Sequence, residues 1–325
     1  MVTVWILVHL FADETLRKNA TQALEAADFY WLLSAGAAAA VSEGLCSTRW
    51  WLILRSFGMP LKWREALAFS AIGLFYSLGL PGSAGGDAMR TLYLIRMFPD
   101  KKLASAFSVL SDRLCGLVAL IAALCVTLAL RHSLFLSGQT GCRIVLAAFV
   151  LLAGILFMLG LWWGTSVSVL GDFLKRRHTW LGPHLLESGE IFNQIGRHPA
   201  AMLVGVGLSA LSLAAHFLCY FFSACAFGAT LNLGQMFSVM PLVDTLTMIP
   251  VALYGVGLRE ALFTTLLGDF FNIPAATATL LSLGGFGAQA SVALTGAIFL
   301  PFVNFLASGN QRPDSRPVSL TGETP

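Results

Sequence analysis

Long apolar runs alternate along the chain with short stretches that carry most of its charge. The apolar runs lie at about 29–48, 66–80, 103–130, 144–168, 200–228, 236–252 and 275–306. Several reach the roughly 20 residues that a helix needs to cross a bilayer. The pattern predicts an all-α, polytopic integral membrane helix bundle with about six to eight membrane segments.

The longest hydrophilic stretch after the first apolar runs is a basic loop at 171–198. We expect it to join two halves, roughly 1–168 and 199–308, within a single transmembrane domain at 1–308. Residues 309–325 contain few apolar side chains, so they are expected to form a disordered tail.

Two apolar runs end in segments that an ordinary membrane helix would not contain. Pro81–Arg90 is PGSAGGDAMR and Pro250–Glu260 is PVALYGVGLRE; in both, Gly follows Pro by five residues and Arg follows it by nine. Irregular backbone is tolerated inside a bilayer only where protein or a water-filled cavity satisfies its polar groups. Such interruptions in corresponding positions of two halves indicate a transport site.

The distribution of cations predicts how these segments lie. If 66–96 enters the membrane and returns, the basic clusters at 49–64, 90–102 and 175–197 all face the cytoplasm, as the positive-inside rule requires. Segment 236–260 then enters from the other side, and the two broken segments are re-entrant, inverted relatives. If 66–80 crossed fully, the second and third clusters would face opposite sides.

Composition narrows the class of protein. The chain is 57% hydrophobic and 11% charged, against about 25% charged residues in soluble domains. Its net charge of +3 is small, and its cations lie in clusters between apolar runs rather than in one patch, so no nucleic-acid partner is expected. It contains no Walker loop, HExxH, CxxC or GxSxG motif. We therefore expect no enzyme activity, no cofactor and no metal site.

The first broken segment has the chemistry of an anion site. Pro81, Gly85 and Gly86 permit a turn whose freed amides could face a ligand, and Arg90 adds a planar, permanently charged donor. A phosphate-bearing head group would match. Alternatively, the glycines allow close helix crossing and Arg90 extends to the interface. Asp87 either joins the site or pairs with Arg90.

The second broken segment offers a similar set, Gly257, Arg259 and Glu260. Adjacent residues on a helix point in different directions, so Arg259 and Glu260 should have different partners. We expect Arg259 to bind the head group and Glu260 to be a structural partner. Across an inverted interface, Asp87–Arg259 and Glu260–Arg90 pairs would form a gate.

Other polar residues lie within apolar runs. Glu43 and Asp244 are lone intramembrane acids that either carry a coupling proton or pair with a neighbouring helix. Asp112 and Arg113 are expected to form an architectural pair at the start of a span, and His216 to be a packing residue.

A resemblance to a known family rests on three motifs. In chain order they are FYSLGLPGSAGGDAMR, SVLSDRLCGLVAL and IPVALYGVGLREA. The set resembles the flippase-like transmembrane family of lysylphosphatidylglycerol synthases and their stand-alone relatives. The resemblance implies a multi-pass protein of the bacterial or archaeal inner (cytoplasmic) membrane with a lipid or lipid-linked substrate. It implies head-group roles for Pro81, Gly85, Gly86, Asp87, Arg90, Asp112, Arg113, Gly257, Arg259 and Glu260.

Two local departures and one larger difference qualify this resemblance. Family members often carry Asn just before the PG turn, where this chain has Ser77-Leu78-Gly79, and Gly-Gly where it has Tyr254-Gly255. The soluble aminoacyl-transfer domain of the full synthases does not appear in this sequence. The chain is therefore not expected to make lysylphosphatidylglycerol by itself.

The sequence thus favours a translocator that moves an anionic phospholipid or a lipid-linked head group between leaflets. The alternative is a non-transporting membrane subunit that recruits or regulates a lipid-modifying or glycosyl-transferring enzyme through loop 171–198.

Overall fold

A computed structural model describes Glu25 and residues 27–79, 84–136, 141–154, 199–248 and 257–301. These residues form helices and turns, with no strand among them. The helices are α1 (Phe29–Ser56), α2 (Trp63–Gly79), α3 (Ala84–Met97), α4 (Lys102–Leu136), α5 (Gly141–Gly154), α6 (Pro199–Ala226), α7 (Leu233–Thr247), α8 (Leu258–Phe271) and α9 (Ala275–Thr295). Within the described ranges, α1, α4, α6 and α9 are long and apolar enough to cross a membrane. The predicted all-α, polytopic bundle is confirmed.

Helices α1 and α6 pack against each other in opposite directions. At one end of the pair, the Asp28 backbone N–H donates to the Ala226 carbonyl (3.1 Å). Towards the other end, Arg49 Nη1 donates to Ser209 Oγ (2.8 Å). The start of each helix therefore lies beside the end of the other.

Two serines join the helices of this pair by reciprocal hydrogen bonds. Ser42 Oγ donates to the Ser212 carbonyl (3.0 Å) and Ser212 Oγ donates to the Ser42 carbonyl (3.1 Å). The two serines are 170 positions apart in the chain, and each makes the same contact to the other. Buried small residues flank them at Ala35, Ala38, Ala39 and Cys219. Small side chains let the two backbones approach, as they do in membrane helix pairs generally.

The turns that follow α1 and α6 share one geometry. Gly58 (φ 68°) and Gly228 (φ 65°) have left-handed backbone and are also 170 positions apart. Each turn then leads into a helix whose third residue caps it. The Lys62 N–H donates to a carboxylate oxygen (2.9 Å), and the Asn232 N–H to a carboxamide oxygen (2.8 Å). The two halves are therefore an internal repeat, and the antiparallel α1–α6 pair relates them by inversion.

Each half carries a helical hairpin, α2–α3 or α7–α8. Lys101 Nζ, just after α3, donates to the Gly58 carbonyl (2.7 Å), so the first hairpin returns to the end of α1. Helix α4 begins there, and near its far end Thr127 Oγ1 donates to the Phe237 carbonyl of α7 (3.4 Å). The two hairpins therefore open at opposite ends of the bundle.

The irregular backbone is shorter than the sequence predicts. Helix α3 begins at Ala84, so Gly85, Gly86, Asp87 and Arg90 are helical, and α8 begins at Leu258. Gly257 (φ 96°) makes the turn into α8, where a residue with a Cβ would be strained. Helix is thus present over most of Pro81–Arg90 and from Leu258 onwards. Pro81, with 80–83, and residues 249–256 lie outside the described residues, as do loop 171–198 and tail 309–325.

Close packing within the first hairpin yields a stability prediction. A methyl group on Gly86 would collide with the Gly73 carbonyl and Ser77 Oγ, so Gly86→Ala should destabilise the protein by about 1–3 kcal/mol. Gly44, in α1, has no atom within 4 Å of its ideal Cβ, so Gly44→Ala should be neutral or stabilising by up to about 1 kcal/mol.

The measurement is the heating midpoint in detergent. Exposure of the buried thiols Cys115 and Cys219 is followed with a thiol-reactive fluorophore. Equal midpoints for the two variants would contradict the predicted contact between α2 and α3.

Candidate functional site

A network of four charged side chains ties α1, α3 and α4 together. Asp112 accepts from Arg49 Nε (2.6 Å), and its other oxygen lies 3.6 Å from Arg90 Nη1. Arg90 Nη2 in turn lies 3.7 Å from Glu43 Oε1. Arg49, Arg90 and Asp112 are buried. Two acids offset two arginines, which is the condition for keeping charges away from water.

Arg90 and Arg259 occupy equivalent places in the two halves. The Arg90 guanidinium lies 5.1 Å from the Trp50 ring centre, and that of Arg259 lies 5.4 Å from the Tyr220 ring centre. Trp50 and Tyr220 are themselves 170 positions apart. Arg259 Nη1 also donates to the Tyr220 hydroxyl. Each arginine is therefore held over an aromatic ring in the core of its own half.

Glu260 has partners different from those of Arg259, as predicted. Its carboxylate accepts from the Gly257 N–H, at the start of α8, and from Ser282 Oγ on α9 (3.0 Å). Glu260 is buried. It fixes the positive-φ turn and joins α8 to α9.

Asp87 pairs with Arg113, which differs from the predicted partners. Arg113 Nε and Nη2 donate to the two Asp87 oxygens (2.8 and 2.9 Å). Arg90 is held by Asp112 and Glu43 instead, so neither Asp87–Arg259 nor Glu260–Arg90 forms. The predicted Asp112–Arg113 pair is also wrong, because neighbours on a helix point about 100° apart. Both residues lie inside α4 rather than at its start.

A cavity of about 290 Å³ lies where the two halves meet. Its walls come from α1, α2, α4, α6, α7 and α9, and they include Ser42 and Ser212. The titratable or amide-bearing groups of the wall are Glu43, Cys46, Arg113, His216, Asp244 and Gln289. The cavity therefore brings polar groups of both halves together beside the α1–α6 contact.

The cavity wall contains one close polar pair and two buried polar atoms without a hydrogen bond among the described residues. His216 Nε2 lies 3.2 Å from Asp244 Oδ2, and both side chains are largely buried. Gln289 Nε2 and Glu43 Oε1 are buried and make no hydrogen bond to other described residues. A buried polar group without such a partner is costly, so this wall is suited to a polar ligand or to water.

Comparison with known proteins assigns the family. The pattern of the family described as the lysylphosphatidylglycerol synthase TM region matches residues 1–296. The chain belongs to this family. Curated proteins and solved structures gave no match. The protein is thus a multi-pass membrane protein related to lipid handling, and the family resemblance seen in the sequence is confirmed.

The predicted site residues of this family member are distributed over three places. Glu43, Arg113 and Asp244 line the cavity, and Asp112 and Arg90 lie behind Glu43. Gly85, Gly86 and Asp87 belong to α3, with Asp87 joined to Arg113. Gly257, Arg259 and Glu260 lie at the start of α8. Neither Arg90 nor Arg259 contributes to the cavity wall.

The structure also identifies residues whose roles the sequence did not indicate. Arg49, expected in an exposed basic cluster, is buried because α1 continues to Ser56 and Asp112 neutralises it. His216, expected to pack, pairs with Asp244, and Gln289 faces the same cavity. An alignment of the Phe57-Gly58 and Phe227-Gly228 turns would have indicated the repeat, and with it these equivalent positions.

The charge network makes Asp112 a stability determinant. Asp112→Ala would leave Arg49 and Arg90 with one acid between them, and breaking a buried pair in this way costs about 3–5 kcal/mol. Asp100 is exposed, so Asp100→Ala should change stability by less than about 0.5 kcal/mol. Thermal unfolding in detergent measures both. A similar small effect at both positions would refute the role assigned to the network.

Proposed function

We propose that this protein is a lipid translocator of the bacterial or archaeal cytoplasmic membrane. It moves an anionic phospholipid or a lipid-linked head group between leaflets while the acyl tails stay in the bilayer. The observation that carries the proposal is the polar cavity built by two inverted halves at the α1–α6 contact. Transporters with inverted repeats bind substrate at the repeat interface, near the membrane midplane.

The contents of the cavity suit a phosphate-bearing head group. Arg113 has a half-exposed side chain (50%). Of the five N–H donors of a guanidinium, Asp87 uses two, which leaves donors for phosphate oxygens. Gln289 Nε2 adds a further donor at the wall. The volume of about 290 Å³ lies at the small end of the range for cavities that hold small molecules, which begins near about 300 Å³. The cavity is therefore of a size for a head group and too small for a whole lipid.

Arg90 and Arg259 have a different role in this proposal. Each is buried and held over an aromatic ring, so each fixes its hairpin to the core instead of binding the head group directly. Arg113 takes the place that the sequence assigned to these two arginines.

The hairpins α2–α3 and α7–α8 are proposed to enter the membrane from opposite sides. Lys62, Arg64, Lys101 and Lys102 are exposed and lie where the first hairpin opens. By the positive-inside rule that end faces the cytoplasm. The rocking of one half against the other would then expose the cavity to each leaflet in turn.

This orientation predicts the labelling of single cysteines in a chain whose own cysteines are replaced by serine. Lys62→Cys and Lys102→Cys should react with a membrane-impermeant maleimide from the cytoplasmic side. Thr230→Cys, at the exposed turn before α7, should react from the other side. Labelling of Lys62→Cys and Lys102→Cys from opposite sides would exclude a re-entrant first hairpin.

Leaflet exchange tests the function directly. Purified protein in liposomes should accelerate dithionite quenching of NBD-labelled phosphatidylglycerol. Arg113→Gln should slow exchange about 10- to 100-fold, the effect of losing charged hydrogen bonds worth about 1.5–3 kcal/mol. Arg64→Gln removes a cation from an exposed position and should leave exchange unchanged.

Lipid-linked glycans are a second probe in the same assay. Absence of exchange with every anionic or glycosylated lipid would overturn the proposal. Full activity of Arg113→Gln would overturn the assigned site. The alternative, a subunit that recruits a lipid-modifying enzyme, depends on loop 171–198, and co-purification of such an enzyme with loss of binding on loop deletion would support it.

A further inference from the structure

We infer that the His216–Asp244 pair is a proton-binding site that couples proton uptake to the binding of an anionic head group in the central cavity. This inference rests on the proposed function and adds its coupling ion. His216 Nε2 lies 3.2 Å from Asp244 Oδ2, and both residues line the cavity. An intramembrane ionisable residue facing a cavity is a hallmark of proton and ion pathways.

The internal repeat shows that this pair is specific to one half. At the 170-residue spacing, His216 corresponds to Cys46 and Asp244 corresponds to Leu74. All four residues line the cavity. The same two positions are therefore occupied by a histidine and a carboxylate in one wall, and by a thiol and an alkyl group in the other. Packing of the repeat does not require the charged pair, since the first half packs without it.

Among the described residues, the ion pairs around the cavity give Asp244 a histidine and no arginine as its partner. Glu43 and Asp112 lie beside Arg49 and Arg90, and Asp87 is paired with Arg113. The His216–Asp244 pair has a net charge of −1 when the histidine is neutral and zero when the pair holds one more proton. Uptake of a proton thus removes the excess negative charge from the cavity.

The sign of the coupling follows from this balance. An anionic head group is repelled by the deprotonated pair and tolerated by the protonated one. By linkage, acid then strengthens lipid binding and lipid binding promotes proton uptake to the same extent. Proton and anionic head group therefore bind together and leave together, so a proton gradient drives lipid towards the alkaline side.

Titratable, charged or amide groups from three other helices line the same cavity as the pair. Glu43 and Cys46 belong to α1, Arg113 to α4 and Gln289 to α9. On its own helix, the Tyr220 ring lies edge-on to His216 (5.3 Å between ring centres), and Tyr220 is bonded to Arg259. Arg113 is paired with Asp87, and the single charge of Arg259 is offset in number by that of Glu260, the next residue in the chain. Among the described groups around the cavity, the excess negative charge is therefore that of the His216–Asp244 pair.

Proton uptake on lipid binding is the first test. Dihexanoyl-phosphatidylglycerol is added to detergent-solubilised protein in weak buffer, and a soluble pH dye reports uptake. The wild type should take up protons with this anionic probe, and dihexanoyl-phosphatidylcholine, which has no net charge, should cause none. His216→Gln and Asp244→Asn should abolish uptake. His132→Gln, at an exposed position in α4, should retain it.

Exchange of NBD-phosphatidylglycerol under an imposed pH gradient is the second test. The apparent affinity of the wild-type protein for this lipid should rise by up to about tenfold per pH unit of acidification if one proton accompanies each head group. The ratio of rates with and without the gradient should fall to one in His216→Gln and Asp244→Asn.

Three outcomes separate the two hypotheses. Gradient-sensitive exchange and proton uptake that depend on both residues support the coupling. Exchange that ignores the gradient, or uptake that persists in both variants, overturns the coupling and leaves the translocator intact. Absence of lipid binding and exchange at every pH overturns the proposed function, and the coupling with it.

Discussion

Close antiparallel contact between α1 and α6 determines how the rest of the molecule is arranged. Alanines and serines along this contact, the α1–α6 seam, let the two long helices approach. The reciprocal Ser42–Ser212 hydrogen bonds join the helices at one point along the seam. Two inverted halves then face each other across this point. The cavity lies beside this contact, and its walls carry residues of both halves.

Buried charge imposes the second constraint. A bilayer offers no water to an uncompensated ion, so the two buried arginines of the first half, Arg49 and Arg90, are each matched by an acid from another helix. Arg49 reaches across to α4, and Arg90 reaches both α4 and α1. These pairs hold the first hairpin against the long helices. In the second half, α8 is held by hydrogen bonds instead. Arg259 donates to the Tyr220 hydroxyl of α6, and Ser282 of α9 donates to Glu260.

Sequence reasoning located most of the helices because hydropathy is a local property. The spacing of Pro, Gly and Arg in the two broken segments also anticipated that Arg90 and Arg259 would take equivalent places. It could not identify their partners. Asp112 is 63 positions from Arg49, and Ser212 is 170 from Ser42, so these contacts depend on which helices pack together. Asp87 pairs with Arg113 because α4 packs beside α3. No local sequence pattern encodes that packing.

The matching turns at Gly58 and Gly228 have an evolutionary consequence. A half-length ancestor that inserted into the membrane in both orientations would already possess the seam, since two copies would meet serine to serine as an antiparallel homodimer. Fusion of two such genes would then free each copy to diverge. One wall could acquire a histidine and a carboxylate while the other kept a thiol and a leucine, a division of labour that a symmetric dimer cannot achieve.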